Sequence, residues 1–194
     1  VLSDIPVGPT AKVRSAELAE RLALQLTSTG AALGLQVRTV MTDGSQPVGF
    51  GIGPALEAHD LLAVLQNKPG ASQELRNRAL VLAAALLEMG QACRAGEGLV
   101  LASQTLDSGL AWQKFQAICE AQGGLKEPPV AAHQQTLVAA KRGVVAMLNN
   151  RVISRLASLA GAPNAPAAGI SLHVRLGDVV EAGQPLMTLH AEAM

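Results

Sequence analysis

The sequence predicts two architectures in one chain, a class best written as α/β plus α+β: a partial parallel α/β domain with a helical bundle, followed by a small β-rich barrel-sandwich. Three observations lead there. A strand tail, a helix and a short β-branched strand follow one another within residues 1–41. Residues 54–122 carry helical periodicity broken by Pro-Gly and Gly punctuation. The composition then shifts at Leu125-Lys-Glu-Pro128-Pro129, after which short apolar runs alternate with turn formers. The first domain is accordingly set at residues 1–128 and the second at 136–194.

Composition narrows the function classes. With 49% hydrophobic and 15% charged residues, the 194-residue chain can bury a core, and it does not read as disordered. Its 15 basic and 15 acidic residues cancel, so no global field draws it to nucleic acid or to an anionic membrane. Two Phe, one Trp and no Tyr leave no stacking platform for single strands, and the core has to be built from Leu, Ala and Val. Cys93 and Cys119 fall in stretches read as helical and lack metal-ligand spacing; reduced core thiols and a cytoplasmic location are expected. No apolar run approaches the ~18 residues that span a bilayer. The chain opens without Met, inside an apparent strand, and reads as part of a longer protein.

Val1 and Leu2 read as the tail of a buried strand that Asp4 ends. In the loop Asp4-Ile-Pro-Val-Gly-Pro-Thr-Ala-Lys12, Pro6 and Pro9 stiffen the backbone and Gly8 supplies an angle other residues adopt only at a cost. Lys12 arrives just before a helix capped by Ser15. Its ammonium is thereby placed at the carboxyl end of a strand, where open α/β sheets hold ligands. The pattern suits an anion site; the competing reading is a solvated lysine on a stiff surface loop.

From Ser15, Leu18, Leu22 and Leu26 recur every fourth residue, with Glu20, Arg21 and Gln25 largely opposite, and the helix runs out near residues 30–34. Residues 35–41 alternate and are β-branched, hence a strand, continuing one parallel α/β unit. The next loop carries Gly49, Gly51 and Gly53, with Pro54 suited to a first helical turn. This G-x-G-x-G lacks the third spacing and the acidic partner of a dinucleotide fingerprint; glycines used for close packing are the stronger reading.

Helices are predicted at 54–66, 72–89, 96–107 and 109–122. Leu75, Ala79, Leu82 and Leu86 share a face of the second, which is apolar all round over 79–87 and is expected to be a central buried helix. Trp112, Phe115 and Ile118 form a stripe expected in the core. His59, His133, His173 and His190 show no pairing at zinc-ligand spacing. After the proline pair come strands at 136–141 and 143–148, a helix at 151–160, and strands at 170–174 and 185–190 joined through Gly177-Asp-Val-Val-Glu-Ala-Gly183. This last segment looks like half of a biotinyl or lipoyl carrier domain. No lysine follows residue 141, so neither cofactor can be carried.

Four motifs in order carry a fuller resemblance: Asp4-Ile-Pro-Val-Gly8 with Ala11, Thr42-Asp-Gly-Ser-Gln-Pro-Val-Gly49, Gly53-Pro-Ala-Leu-Glu57, and Gly177-Asp-Val-Val-Glu-Ala-Gly-Gln-Pro-Leu186. Together they make the chain resemble the thymidine phosphorylase and pyrimidine-nucleoside phosphorylase family, more closely its archaeal AMP phosphorylase branch and similar bacterial sequences. The resemblance implies phosphorolysis, with inorganic phosphate as co-substrate, a nucleoside or nucleotide as substrate, no organic cofactor, and a homo-oligomer in the full-length enzyme. The family's phosphate loop, base-contacting residues and acidic proton donor precede the position of Val1. No catalytic residue is therefore expected in this chain, which alone should be inert. Pro6 and Lys12 depart from the nucleoside-specific pattern; in the AMP branch the residue matching Lys12 contacts the nucleotide, and Gly8 and Thr10 are further candidate substrate contacts. Some bacterial relatives hold a potassium ion at the positions matching Val48, Gly51 and Asp60. The competing reading is a noncatalytic assembly module, in which the segment at 136–194 packs subunits together.

Overall fold

The computed structural model describes residues 1–193. Its amino-terminal unit is β1 (Leu2–Val7), α1 (Ala16–Ala32) and β2 (Arg38–Asp43), the strands pairing in parallel from Leu2↔Arg38 to Val7↔Asp43. β1 does not end at Leu2 as the sequence suggests. Asp4 stays in the strand because its carboxylate accepts a 2.6 Å hydrogen bond from the Thr42 hydroxyl on β2, and Pro6 is tolerated because β1 has a neighbour on one side only. β2 likewise starts later and runs two residues further than expected, since Thr42 and Asp43 pair with Pro6 and Val7.

Four helices follow: α2 (Pro54–Leu65), α3 (Gln73–Met89), α4 (Gly98–Asp107) and α5 (Leu110–Ala121). They match the predicted spans to within two residues because their punctuation is chemical. Ser15 accepts from the Leu18 amide and Ser72 from the Leu75 amide, while Pro54 fills the first turn of α2. The helical core is Val64, Leu80, Ala102 and Leu106. Which faces are buried departs from expectation. α3 is not sealed all round: it buries Leu80, Ala84 and Ala85, whereas Leu86 of the expected face is 53% exposed. α5 buries no residue; Trp112 and Phe115 stack at 6.0 Å between centroids on a half-open face, and Ile118 is exposed. On α1 the innermost positions are Ala19 and Gly30, and Leu18 is left exposed. Cys93 lies in the turn after α3 rather than in a helix, and both cysteines are free and half-buried. Burial, with Glu88 and Glu97 adding to it, pushes the Cys93 thiol up.

The remainder is β4 (His133–Val138), β5 (Gly143–Val144), α6 (Asn150–Leu159), β6 (Gly169–Leu172), β7 (Val179–Val180) and β8 (Pro185–Ala191). With a two-residue strand β3 (Gly51–Ile52) they form a four-stranded antiparallel sheet ordered β3-β6-β8-β4 and a separate β5-β7 pair. The chain is thus a mixed α and β structure. No closed barrel forms among the described residues, because β5 and β7 contribute only two residues each and leave the main sheet open. Ile170 and Leu172, at 1% and 2% exposure, pack with Leu148, Ile153 and Ala157 beneath α6. No helix is long and apolar enough to cross a membrane, among the described residues.

Candidate functional site

Two loops leave the carboxyl ends of β1 and β2. The first carries Lys12. The Gly8 amide donates to the Val13 carbonyl at 3.1 Å and the Ala11 amide to the Gly8 carbonyl at 3.1 Å, while the Gly44 amide returns to Val7 at 2.8 Å. Gly8 is not in the left-handed region that its sequence context suggests. It must be glycine for another reason: any Cβ there would overlap the backbone of Gly44 and Ser45, where the two loops touch. Lys12 is exposed and forms no ion pair among the described residues. Thr10 is engaged, its hydroxyl accepting from the Asn150 amide at 3.1 Å, while the Asn150 side-chain amide donates to the Gly44 carbonyl at 2.9 Å.

The second loop, residues 44–50, is held from two sides. The Arg175 guanidinium donates to the carbonyls of Pro47 at 3.0 Å and Gly49 at 2.5 Å and lies 4.6 Å from the Phe50 ring centroid. On the other side, one Asp60 carboxylate oxygen accepts from the amides of Phe50 at 2.5 Å and Gly51 at 2.7 Å. Val48, Gly51 and Asp60 line one cavity of about 400 Å³ together with Pro47 and Glu57. Gly51 and Gly53 allow tight contacts, with Leu56 and with the Ala168 carbonyl respectively, so close packing is what the glycine run serves.

Residues 144–194 match the pyrimidine nucleoside phosphorylase C-terminal domain family. Over 192 residues the chain is 59% identical to "Putative thymidine phosphorylase 1" of Acidovorax sp. (strain JS42), covering 99% of this chain and 38% of that protein. Proteins of the same name, without the number, from Polaromonas sp. (strain JS666 / ATCC BAA-500) and Chelativorans sp. (strain BNC1) are 60% and 57% identical over 191 and 192 residues, covering 98% and 99% of this chain and 37% and 38% of themselves. Along its whole length the chain is similar to proteins named "Putative thymidine phosphorylase", and its last 51 residues match a pyrimidine nucleoside phosphorylase domain. It spans about 38% of the length of the curated relatives it matches and corresponds to their carboxyl-terminal part.

Sequence reasoning missed Arg175 and Asn150. Neither sits in a recognisable motif; the one usable signal was the Asn149-Asn150 pair opening an amphipathic helix, of which Asn149 is the cap, accepting from the amides of Arg151 and Val152. The histidines are also closer than their spacing suggests. His173 shares a 2.7 Å hydrogen bond with Thr188, His190 shares one of 2.9 Å with Ser171, and Thr188 reaches Thr136 at 3.0 Å, forming a polar ladder across β6, β8 and β4.

Burial, with the His173 imidazole adding to it, holds the His190 pKa below the usual histidine value. In the unfolded chain His190 takes up a proton at a pH where the folded chain still keeps it neutral. Its contribution to stability is therefore complete above ~6.5 and is lost as the pH falls from there through the lowered native value. The midpoint of thermal unfolding is expected to drop between pH 7 and pH 5, and His190→Gln should flatten that slope. An unchanged slope in the variant assigns the acid sensitivity to another group.

Proposed function

We propose that this chain serves a phosphorolytic pentosyltransferase of the thymidine phosphorylase or AMP phosphorylase type. An oxygen of inorganic phosphate bonds to the anomeric carbon, the glycosidic C–N bond breaks with its electrons going to the base, and the base takes a proton; the products are free base and a pentose 1-phosphate. Positive charge develops on the sugar, so placing anions matters most. The observation that carries this reading is Lys12, unpaired among the described residues and sited just past the carboxyl end of a parallel strand, in a chain so similar to proteins named "Putative thymidine phosphorylase". A lysine facing a 5′-phosphate favours a nucleotide substrate, with Gly8 and Thr10 shaping the loop beneath it. Titrating the chain with AMP while following the amide signals of Gly8 and Lys12 tests this: selective shifts support it, and a flat response counts against Lys12 as an anion contact.

A potassium ion would be held by the carbonyls of Val48 and Gly51 and by the Asp60 oxygen that the two amides leave free; hard oxygen donors around a small cavity suit such a cation. We also read residues 1–128 and 136–194 as separate domains. Residues 124–131 have no regular structure and Val130 is 74% exposed, so limited proteolysis is expected to cut within residues 125–135. The pieces should stay together on gel filtration, since β3 belongs to the carboxyl-terminal sheet. A first cut inside α3 would contradict the boundary.

A further inference from the structure

We infer that Arg175 and Asn150 are positioning residues, through which the carboxyl-terminal sheet and helix set the Lys12 loop and the 44–50 loop. What those loops hold rests on the phosphorolytic reading; the clamp itself rests on geometry alone.

Arg175 follows β6 and grips the carbonyls on either side of Val48, those of Pro47 and Gly49. A guanidinium presents its donors in a rigid fork, so two carbonyls bound to one plane cannot turn independently. The same plane lies over Phe50 at 4.6 Å and meets Glu74 of α3 at 3.6 Å. Its neighbour continues the grip, the Leu176 amide donating to the Gln46 side-chain oxygen at 2.9 Å. Arg175 is itself fixed, because its amide donates to Asp178 at 2.7 Å. The loop is thus held at Gln46, Pro47, Gly49 and Phe50 by one short turn of the carboxyl-terminal part.

Asn150 does the corresponding work for the other loop. As the first residue of α6 it has an amide with no partner inside the helix, and it spends that donor on Thr10. Its side-chain amide reaches the Gly44 carbonyl, and Gly44 is bonded to Val7 at the end of β1. One residue therefore joins the loop after β1 to the loop after β2. Its remaining side-chain oxygen is buried without a partner among the described residues. Local stability does not explain keeping such a group; a grip on two loops at once does.

The test is amide hydrogen exchange, read by segment, on the 194-residue chain and three variants. Arg175→Gln is expected to speed exchange in 44–51 tenfold or more with α4 unchanged. Arg175→Lys keeps a cation over Phe50 but loses the fork, so it should restore little of that protection, and it serves if the glutamine variant does not fold. Asn150→Asp keeps the shape but turns a donor toward Gly44 into an acceptor, and should speed exchange in 8–13 by a similar factor. Wild-type protection in both loops overturns the inference, as does a uniform rise across every segment, which marks a merely structural role. In the longer phosphorylase the variants should lower kcat more than they raise KM. If the exchange pattern appears but the wild-type chain gives no response to AMP, Lys12 loses its place as an anion contact and the clamp stands.

Discussion

Replacing Lys12 with alanine in a full-length version of this protein is expected to lower kcat/KM for a nucleoside monophosphate tenfold to a hundredfold. A charge-assisted hydrogen bond to the substrate contributes roughly 1.5 to 3 kcal/mol, which sets that range. The geometry favours such a bond: Lys12 lies between Gly8, packed on Gly44, and the Ser15 cap of α1, so the backbone beneath it is fixed while its side chain is free. A nucleoside lacks the 5′-phosphate and should lose much less. Steady-state kinetics on matched nucleotide and nucleoside pairs decide the matter. Equal losses would place Lys12 on inorganic phosphate or in loop support, and no loss would return it to solvent.

Gly53→Ala is expected to be among the most damaging single methyl groups in the chain, with Gly169 and Gly8 similarly confined. Gly53 has φ +132°, a conformation essentially reserved to glycine, and its added Cβ would overlap the Ala168 carbonyl and lie 3.1 Å from the Gly169 Cα. Both objections are to backbone, which cannot swing aside. Strain and overpacking together cost about 3 kcal/mol, or about 6 to 12 °C in melting temperature for a chain of this size. Gly70→Ala is the control: φ is +81° there too, but a Cβ meets nothing within 4 Å, so the cost should be near 1 kcal/mol. Thermal melts of the two variants side by side separate the steric term from the torsional one. Equal melting temperatures would mean that β3 and β6 can part without loss.

Helix limits were legible in the sequence because they are written locally. Ser15, Ser72 and Pro54 act within one turn of themselves, and each starts a helix where expected. Which face of a helix is buried depends on what lies across from it, and there periodicity misled. Leu75, Ala79, Leu82 and Leu86 align as well as any apolar stripe, yet α3 turns Leu80 and Ala84 inward because α4 approaches from that side. β3 and β7 escaped notice since two residues carry no alternation, and their pairing is supplied by distant partners. The candidate site divides the same way. Lys12 stands out beside its proline-stiffened loop, and Val48, Gly51 and Asp60 came from family resemblance; Arg175 and Asn150 act across more than a hundred residues through contacts that no local pattern encodes.

The pairing of Gly51 with Ser171 has a consequence for how the chain assembles. The two are about 120 residues apart, and closing a flexible loop of that length costs roughly 4 kcal/mol of chain entropy. A strand of two residues returns only a few net kilocalories through its hydrogen bonds. β3 therefore cannot nucleate the sheet it belongs to. The β6-β8 hairpin, whose strands lie close in sequence, has to form first, and β3 docks onto a finished edge once the helices between have collapsed. During synthesis the glycine-rich loop must wait, unpaired, until nearly the whole chain has emerged.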